Sequence, residues 1–444
     1  MIRPRERTSL ARSSLARPLL SRCALALYSL AVIGVQPLLR RKLRRRGRAE
    51  AKYLENIEER FGHYGAPTQP GRLWIHAVSL GETRAAAVLI EELRKRDPSL
   101  RILLTNGTAT GRAEGERLVR EGDEQVWQPW DTPEAVRRFL EHFRPCAGVL
   151  METEVWPNLI EGCKARGIPI ALANARMSEK TMRRTQWGAR LLRPTYAALS
   201  AVWAQTGDDA RRLAQTGATV KGVFGNLKYD ATPDTAQLER GVAWRTGLDR
   251  PVVMLASSRE GEEAEFLAAL PRDADVQWLI VPRHPQRFDE VARMVAQAGW
   301  SVSRRSAWGA VPQAAQVWIG DSLGEMALYY GLADVALLGG SFAPLGGQNL
   351  IEAAACGCPL VMGPHTFNFA EAAQLALHSG AAVRVASMRE GVIAARELAR
   401  DRGRLNEAAA AGERFAEANR GAAAKTAQAL LELLELPELL AKQR

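Results

Sequence analysis

Cysteine is scarce, with five residues (Cys23, Cys146, Cys163, Cys356 and Cys358) in a chain of 444. The count is odd and the spacing lacks the paired pattern of a zinc site, so a disulfide-stapled scaffold is excluded and a reducing compartment fits. Cys356-x-Cys358 has no second pair and reads as core packing. Histidine is equally rare at six, and no His/Asp/Glu cluster has metal-ligand spacing, so no metal centre is expected. Neither G-x-x-x-x-G-K-[ST] nor a strand-coupled G-x-G-x-x-G occurs, which argues against an ATPase and a dehydrogenase. No solenoid period is present. Long apolar runs are missing apart from one near the amino end, which excludes a polytopic membrane protein.

What is present is ordinary globular material: 47% hydrophobic, 25% charged and 6% aromatic. At about 100–200 residues per domain the length suggests two to three domains, each with its own core. The formal charge of +11 belongs to one end. Residues 1–50 carry 13 Lys/Arg against 2 Asp/Glu, and the rest of the chain holds 47 of each sign. The body therefore has no positive bias toward nucleic acid, and no nucleic-acid partner is expected.

That basic end frames the apolar run Cys23–Val35 between Arg3, Arg5, Arg7, Arg12, Arg17 and Arg22 on one side and Arg40, Arg41, Lys42, Arg44, Arg45, Arg46 and Arg48 on the other. The dense cationic block after the run, with no small-residue cleavage site before it, argues against a cleaved signal peptide. A single amino-terminal anchor and a helix lying in the interface on anionic lipid both remain open. Either one puts the body at the cytoplasmic face of a membrane.

From Leu73 onward, short apolar runs alternate with amphipathic stretches. Leu73–Val78, Ile102–Leu104, Gly148–Met151, Ile168–Ala173 and Ala201–Ala204 read as buried strands, with helices at Thr83–Arg96 and Ala113–Glu121 between them. After a polar stretch near 233–250 the alternation restarts with Val252–Ala256, Trp278–Val281, Val317–Ile319, Val335–Leu338 and Pro359–Val361. This pattern predicts an α/β protein with two doubly wound, Rossmann-like parallel sheets. The expected organisation is an anchor at 1–49, a first domain at 50–232 and a second at 233–444 that includes the tail helix Ala422–Leu436. Open parallel sheets bind ligands beyond the carboxyl ends of their strands, so the loops after strands are the candidate sites.

In the first domain, Gly81 permits a tight turn before Glu82, and Glu82 at a helix start faces the positive helix end. That position favours an ionised carboxylate, able to act as general base or simply to cap its helix. Glu152 and Glu154 precede Trp156-Pro157, and if the strand continues through them they point to opposite faces. They read equally as solvated turn acids. Lys228 in Gly225–Asp230 sits at the domain junction, where a lone lysine is either solvated or a site cation. In the second domain, Ser257–Glu260, Pro282-Arg283-His284-Pro285, Gly320–Met326 and Gly346–Glu352 each follow a strand. Helix amino ends there can hold an anion, paired glycines let backbone approach a ligand, Asn349 can cap a helix, and Glu352 can accept from ribose hydroxyls. Together they read as a nucleotide site.

The ordered strings WIHAVSLGET (74–83), METEVWPN (151–158), NARMS (174–178), GNLKYD (225–230), PRHPQRF (282–288), GDSLGEM (320–326), GGSFAPLGGQNLIE (339–352) and GPHTFNF (363–369) resemble the 3-deoxy-D-manno-octulosonic acid (Kdo) transferase family of lipopolysaccharide synthesis. The resemblance runs from about Arg40 to Leu436. It implies a GT-B glycosyltransferase, with two Rossmann-like domains facing across a cleft, that moves Kdo from CMP-Kdo to the lipid A precursor at the bacterial inner membrane and releases CMP. It implies no cofactor beyond the donor, and no metal. By residue, it makes Glu82 the general base and gives Glu152 and Lys228 transition-state roles. Arg283, His284, Gly324, Glu325, Met326, Asn349, Leu350, Ile351 and Glu352 fall to CMP. The lipid acceptor would lie where the cationic block sits, against anionic lipid. Two alternatives stay open: a GT-B enzyme using a UDP-sugar on a membrane lipid, and a non-catalytic membrane-peripheral scaffold of the same fold.

Overall fold

The computed structural model describes the backbone of residues 4–48, 50–273 and 275–442, and the side chains between 19 and 435 within them. The arginines before Pro18 (Arg3, Arg5, Arg7, Arg12 and Arg17) and Leu436 of the tail helix lie outside the described side chains. Two compact units divide the chain, one running to Asp230 and resuming at Gly421, the other spanning Ala231–Arg420.

The first unit holds β1 (Leu73–His76), β2 (Ile102–Asn106), β3 (Glu124–Trp127), β4 (Ala147–Met151), β5 (Ile170–Ala175), β6 (Ala201–Ala204) and β7 (Val220–Val223). They form one parallel sheet in the order β3-β2-β1-β4-β5-β6-β7. The strands β1, β2, β4, β5 and β6 are buried along their whole length, as a sheet covered on both faces requires. One face packs Ile75, Leu89, Leu93 and Val149, the other Trp74, Phe139, Leu150 and Ile160.

The second unit holds β8 (Val252–Ser258), β9 (Gln277–Pro282), β10 (Val302–Arg304), β11 (Val317–Ile319), β12 (Val335–Leu338), β13 (Leu360–Met362) and β14 (Ala382–Arg384). Its parallel order is β10-β11-β9-β8-β12-β13-β14. The strand order switches between β1 and β4 in the first sheet and between β8 and β12 in the second, where β11 also lies between β10 and β9. A ligand site is expected at such switch points.

Two elements depart from the sequence pattern. The tail helix (Ala422–Lys442) belongs with the first unit. Ala422, Ala423, Ala427 and Leu430 are buried there against Leu89 and Leu93. Asp230 accepts from the Gly421 and Ala423 N–H groups and so caps the helix start. An apolar stripe states that a helix must pack but not on which domain, and chain order is a poor guide to that. The amino-terminal helix (Pro4–Gly47) also joins the first unit. Its segment Leu19–Gly47 is long and apolar enough to cross a membrane by length and composition, with mean hydropathy 1.6 in its best window. One side is nevertheless tied down: the Tyr28 hydroxyl donates to Asp131 at 2.9 Å and the Ser29 hydroxyl to Asn158 at 2.8 Å. Arg40 pairs with Glu58 at 2.7 Å, and Leu43 is buried beside Tyr53 and Trp127. The other side leaves Leu19, Leu27, Leu30, Ile33 and Leu38 exposed.

Candidate active site

Each unit carries its own half of the expected residues at its switch point. In the first, the chain leaves β1 and enters the helix Leu80–Arg96 through Val78-Ser79. Ser79 is the cap, its hydroxyl accepting from the Glu82 N–H at 3.3 Å. The Glu82 carboxylate in turn accepts from the Val78 N–H at 2.8 Å and the Ser79 hydroxyl at 2.9 Å. This resembles a capping box, with the Val78 N–H in place of the cap residue's own, and fixes the carboxylate at the carboxyl edge of β1. Glu82 is only 9% exposed. Burial pushes its carboxyl up to about 7, and Glu154 adds to the rise. The Val78 and Ser79 hydrogen bonds oppose the shift, and Glu152 adds a last push. Desolvation therefore outweighs the helix end that was expected to hold this group ionised, and leaves it poised near neutrality, where a general base is most useful.

The loop after β4 also departs from expectation. The strand does not continue through Glu152. Glu152 turns into the left-handed region at φ 55°, so the opposite-face argument for Glu152 and Glu154 does not apply and both charges act on Glu82. Glu154 accepts from the Trp156 indole N–H at 2.9 Å, and burial raises its own carboxyl. The Lys228 ammonium stands 3.3 Å from Glu152 Oε1. The structure thus brings Glu152 and Lys228 together and adds Glu154 to the electrostatics of Glu82. The Glu-x-Glu pair was visible in sequence, but the turn that gathers it was not.

In the second unit the loops after β8, β9, β11 and β12 supply the remaining residues. The Arg283 N–H donates to Ser258 O at 3.0 Å, which ties the β9 loop to the end of β8. His284 is exposed, and partial desolvation of its ring, then the neighbouring Arg259, lower its pKa. Gly324 adopts φ 77°, and its carbonyl accepts from Gln237 at 2.9 Å. Glu325 is paired with Arg305 at 2.8 Å, and Met326 Sδ lies 3.9 Å from the Ser257 hydroxyl. Asn349 caps its helix through the Ile351 N–H at 3.2 Å. Leu350 and Ile351 are buried, so their contribution to a ligand is backbone. Glu352 and Arg283 both act electrostatically on the buried Tyr330, the first raising its pKa and the second lowering it.

One residue here was missed from sequence. The Glu262 carboxylate accepts from the backbone N–H groups of Arg259 (2.9 Å), Gly340 (2.7 Å), Phe342 and Ala343 (both 3.2 Å). The Ser257–Glu260 loop was expected to hold an external anion. Its Arg259 N–H instead holds this internal one, together with three N–H groups of the glycine loop. Gly339 is required for packing, since a Cβ there would meet Ser257 O at 2.4 Å. Only Glu262 being an acid four residues past a strand could have signalled this role, and that is a weak cue. Among the described residues no group of three or more His, Cys, Asp or Glu is placed to hold a metal ion.

Residues 55–231 match the family described as 3-Deoxy-D-manno-octulosonic-acid transferase (kdotransferase). Over 426 residues the chain is 45% identical to the 3-deoxy-D-manno-octulosonic acid transferase of Bordetella pertussis, covering 91% of this chain and 98% of that one. The chain belongs to the Kdo transferase family. A relative in Haemophilus influenzae, of the same description, is 34% identical over 330 residues, 72% of this chain and 77% of that one. Among solved structures, the UDP-GlcNAc 2-epimerase from Neisseria meningitidis bound to UDP-GlcNAc superimposes with TM-score 0.54 at 15% identity, covering 82% of this chain and 100% of that one. That likeness shows the shared fold alone, two doubly wound α/β domains of GT-B type. The chain is accordingly a glycosyltransferase.

Proposed function

We propose that this Kdo transferase moves Kdo from CMP-Kdo to the phosphorylated, acylated glucosamine disaccharide that precedes lipid A, releasing CMP. Glu82 takes the proton of the acceptor hydroxyl, whose oxygen then bonds to the anomeric carbon of Kdo as the bond to the CMP phosphate breaks. A positioned base of this kind is worth roughly 10²–10⁴-fold. Glu152 stabilises the oxocarbenium-like charge that develops on the sugar, and Lys228 supplies its countercharge. Arg283 and His284, the Gly324–Met326 turn and the Asn349–Glu352 helix start receive CMP, with cation and N–H donors for the departing phosphate. A monophosphate leaving group carries less charge than a diphosphate, so the reading requires neither metal nor cofactor.

The observation that carries the proposal is the buried Glu82 carboxylate, held near neutrality at the first switch point of a chain in this family. The exposed leucines of the amino-terminal helix, followed by Arg40–Arg46, support attachment at the cytoplasmic face of the inner membrane, against anionic lipid. The test is to incubate the purified enzyme with the acylated acceptor and either CMP-Kdo or UDP-GlcNAc, and read products by mass spectrometry. Kdo addition from CMP-Kdo alone supports the proposal. Transfer from the UDP-sugar, or none from either, refutes it.

A further inference from the structure

Asn174, next to last in β5, is 2% exposed and sits at φ 52°. Glu152, just past the neighbouring β4, is left-handed too. The two strands pair in register through Met151 and Ala173. Beyond that pair the Glu152 N–H donates to Ala173 O at 3.0 Å, and the Arg176 N–H to Glu152 O at 3.2 Å. Both left-handed residues thus stand at the same level of the carboxyl edge.

The Asn174 side chain joins this edge to a third segment. Its Oδ1 accepts the Leu227 N–H at 3.1 Å, and the next residue is Lys228, whose ammonium meets Glu152. The Asn174 carbonyl is held in turn by the Gln205 amide at 2.9 Å. The Leu227 bond fixes the amide orientation. Its Nδ2 is buried with no partner among the described residues, a cost that ordinary core residues avoid. Glycine would take this backbone conformation without strain. What asparagine adds is the bond to the turn that carries Lys228.

We propose that Asn174 is a positioning residue for the Lys228–Glu152 pair, pinning the lysine-bearing turn to the strand end that carries the glutamate. The inference rests on the role proposed above for that pair. It is tested on the full chain with CMP-Kdo and the lipid acceptor, using Asn174→Gly, Asn174→Asp, Lys228→Ala and the double variant N174G/K228A. Glycine suits the backbone but leaves the buried Leu227 N–H without its acceptor, so N174G lowers the melting temperature by a few degrees and remains folded. Its kcat falls on the order of 10²-fold, the scale of a misplaced catalytic group, while KM for CMP-Kdo changes by less than about twofold. N174D keeps an acceptor for the Leu227 N–H and recovers at least about tenfold of the lost kcat. In the K228A background N174G costs less than about twofold, because its effect runs through the lysine.

The inference is overturned if N174G retains the parent kcat, if its cost is the same with and without Lys228, or if N174D is as slow as N174G. A K228A variant at full rate overturns the reading of the pair itself, and this inference with it. A slow K228A beside a fast N174G overturns this inference alone.

Discussion

The Glu262 carboxylate accepts the Gly340 N–H at 2.7 Å and the Arg259 N–H at 2.9 Å, and so stitches the loop after β12 to the loop after β8. Removing it strands four backbone donors at once, of which the one on buried Gly340 costs about 1–3 kcal/mol and the half-buried others less, since water can reach them. Glu262→Ala is expected to lower unfolding stability by about 3 kcal/mol and to weaken CMP binding measured by calorimetry. Unchanged CMP affinity would show that the stitched loops do not form the nucleotide site.

Activity is expected to fall as pH drops through about 7, because a base must be unprotonated to accept a proton and burial holds Glu82 protonated to that pH. The second contribution to the shift is Glu154. Glu154→Gln removes that negative charge, so the acid limb of kcat/KM moves to lower pH. A limb that stays put or moves up contradicts the coupling.

Leu430 is fully buried among first-unit residues although it lies near the carboxyl end. Leu430→Ala is expected to cost about 2–5 kcal/mol. Hydrogen exchange should report the loss in the helix Leu80–Arg96 and in β1, not in β8–β14. Faster exchange in the second sheet would place the tail helix elsewhere.

The amino-terminal helix exposes Leu27 and Leu30 while Tyr28 and Ser29 hold the body. Changing both leucines to aspartate puts charge on the lipid side, at about 3 kcal/mol each if the site lies at full membrane depth. The variant is expected to leave anionic vesicles in a flotation assay and to keep CMP affinity. Vesicle binding equal to the parent would remove the helix from the proposed membrane contact.

Interior strands were legible in sequence because burial on both faces demands continuous apolar runs, and Ala201–Ala204, Val317–Ile319 and Val335–Leu338 stand where the pattern puts them. Glu124–Trp127, Val220–Val223, Val302–Arg304 and Ala382–Arg384 escaped it. All four contain polar or exposed positions, and the first and third end their sheets, as do the second and fourth. The site was legible as loops and as a family resemblance, but not as geometry. Nothing local in Gly225–Asp230 says that Lys228 meets Glu152, and nothing near Glu262 says that its partners lie at Gly340–Ala343. Such contacts depend on which strands become neighbours. The state of Glu82 misled for a related reason: the helix end is visible in sequence, whereas the burial that overrides it is a tertiary property.

The most direct measurement compares the parent with Glu82→Gln, an isosteric change that keeps the capping geometry but cannot take a proton. Single-turnover transfer of Kdo from CMP-Kdo to the lipid acceptor is followed alongside CMP affinity. The account predicts equal CMP affinity and transfer slowed by roughly 10²–10⁴-fold across pH 6–9. A glutamine variant that transfers Kdo at the parent rate would contradict it.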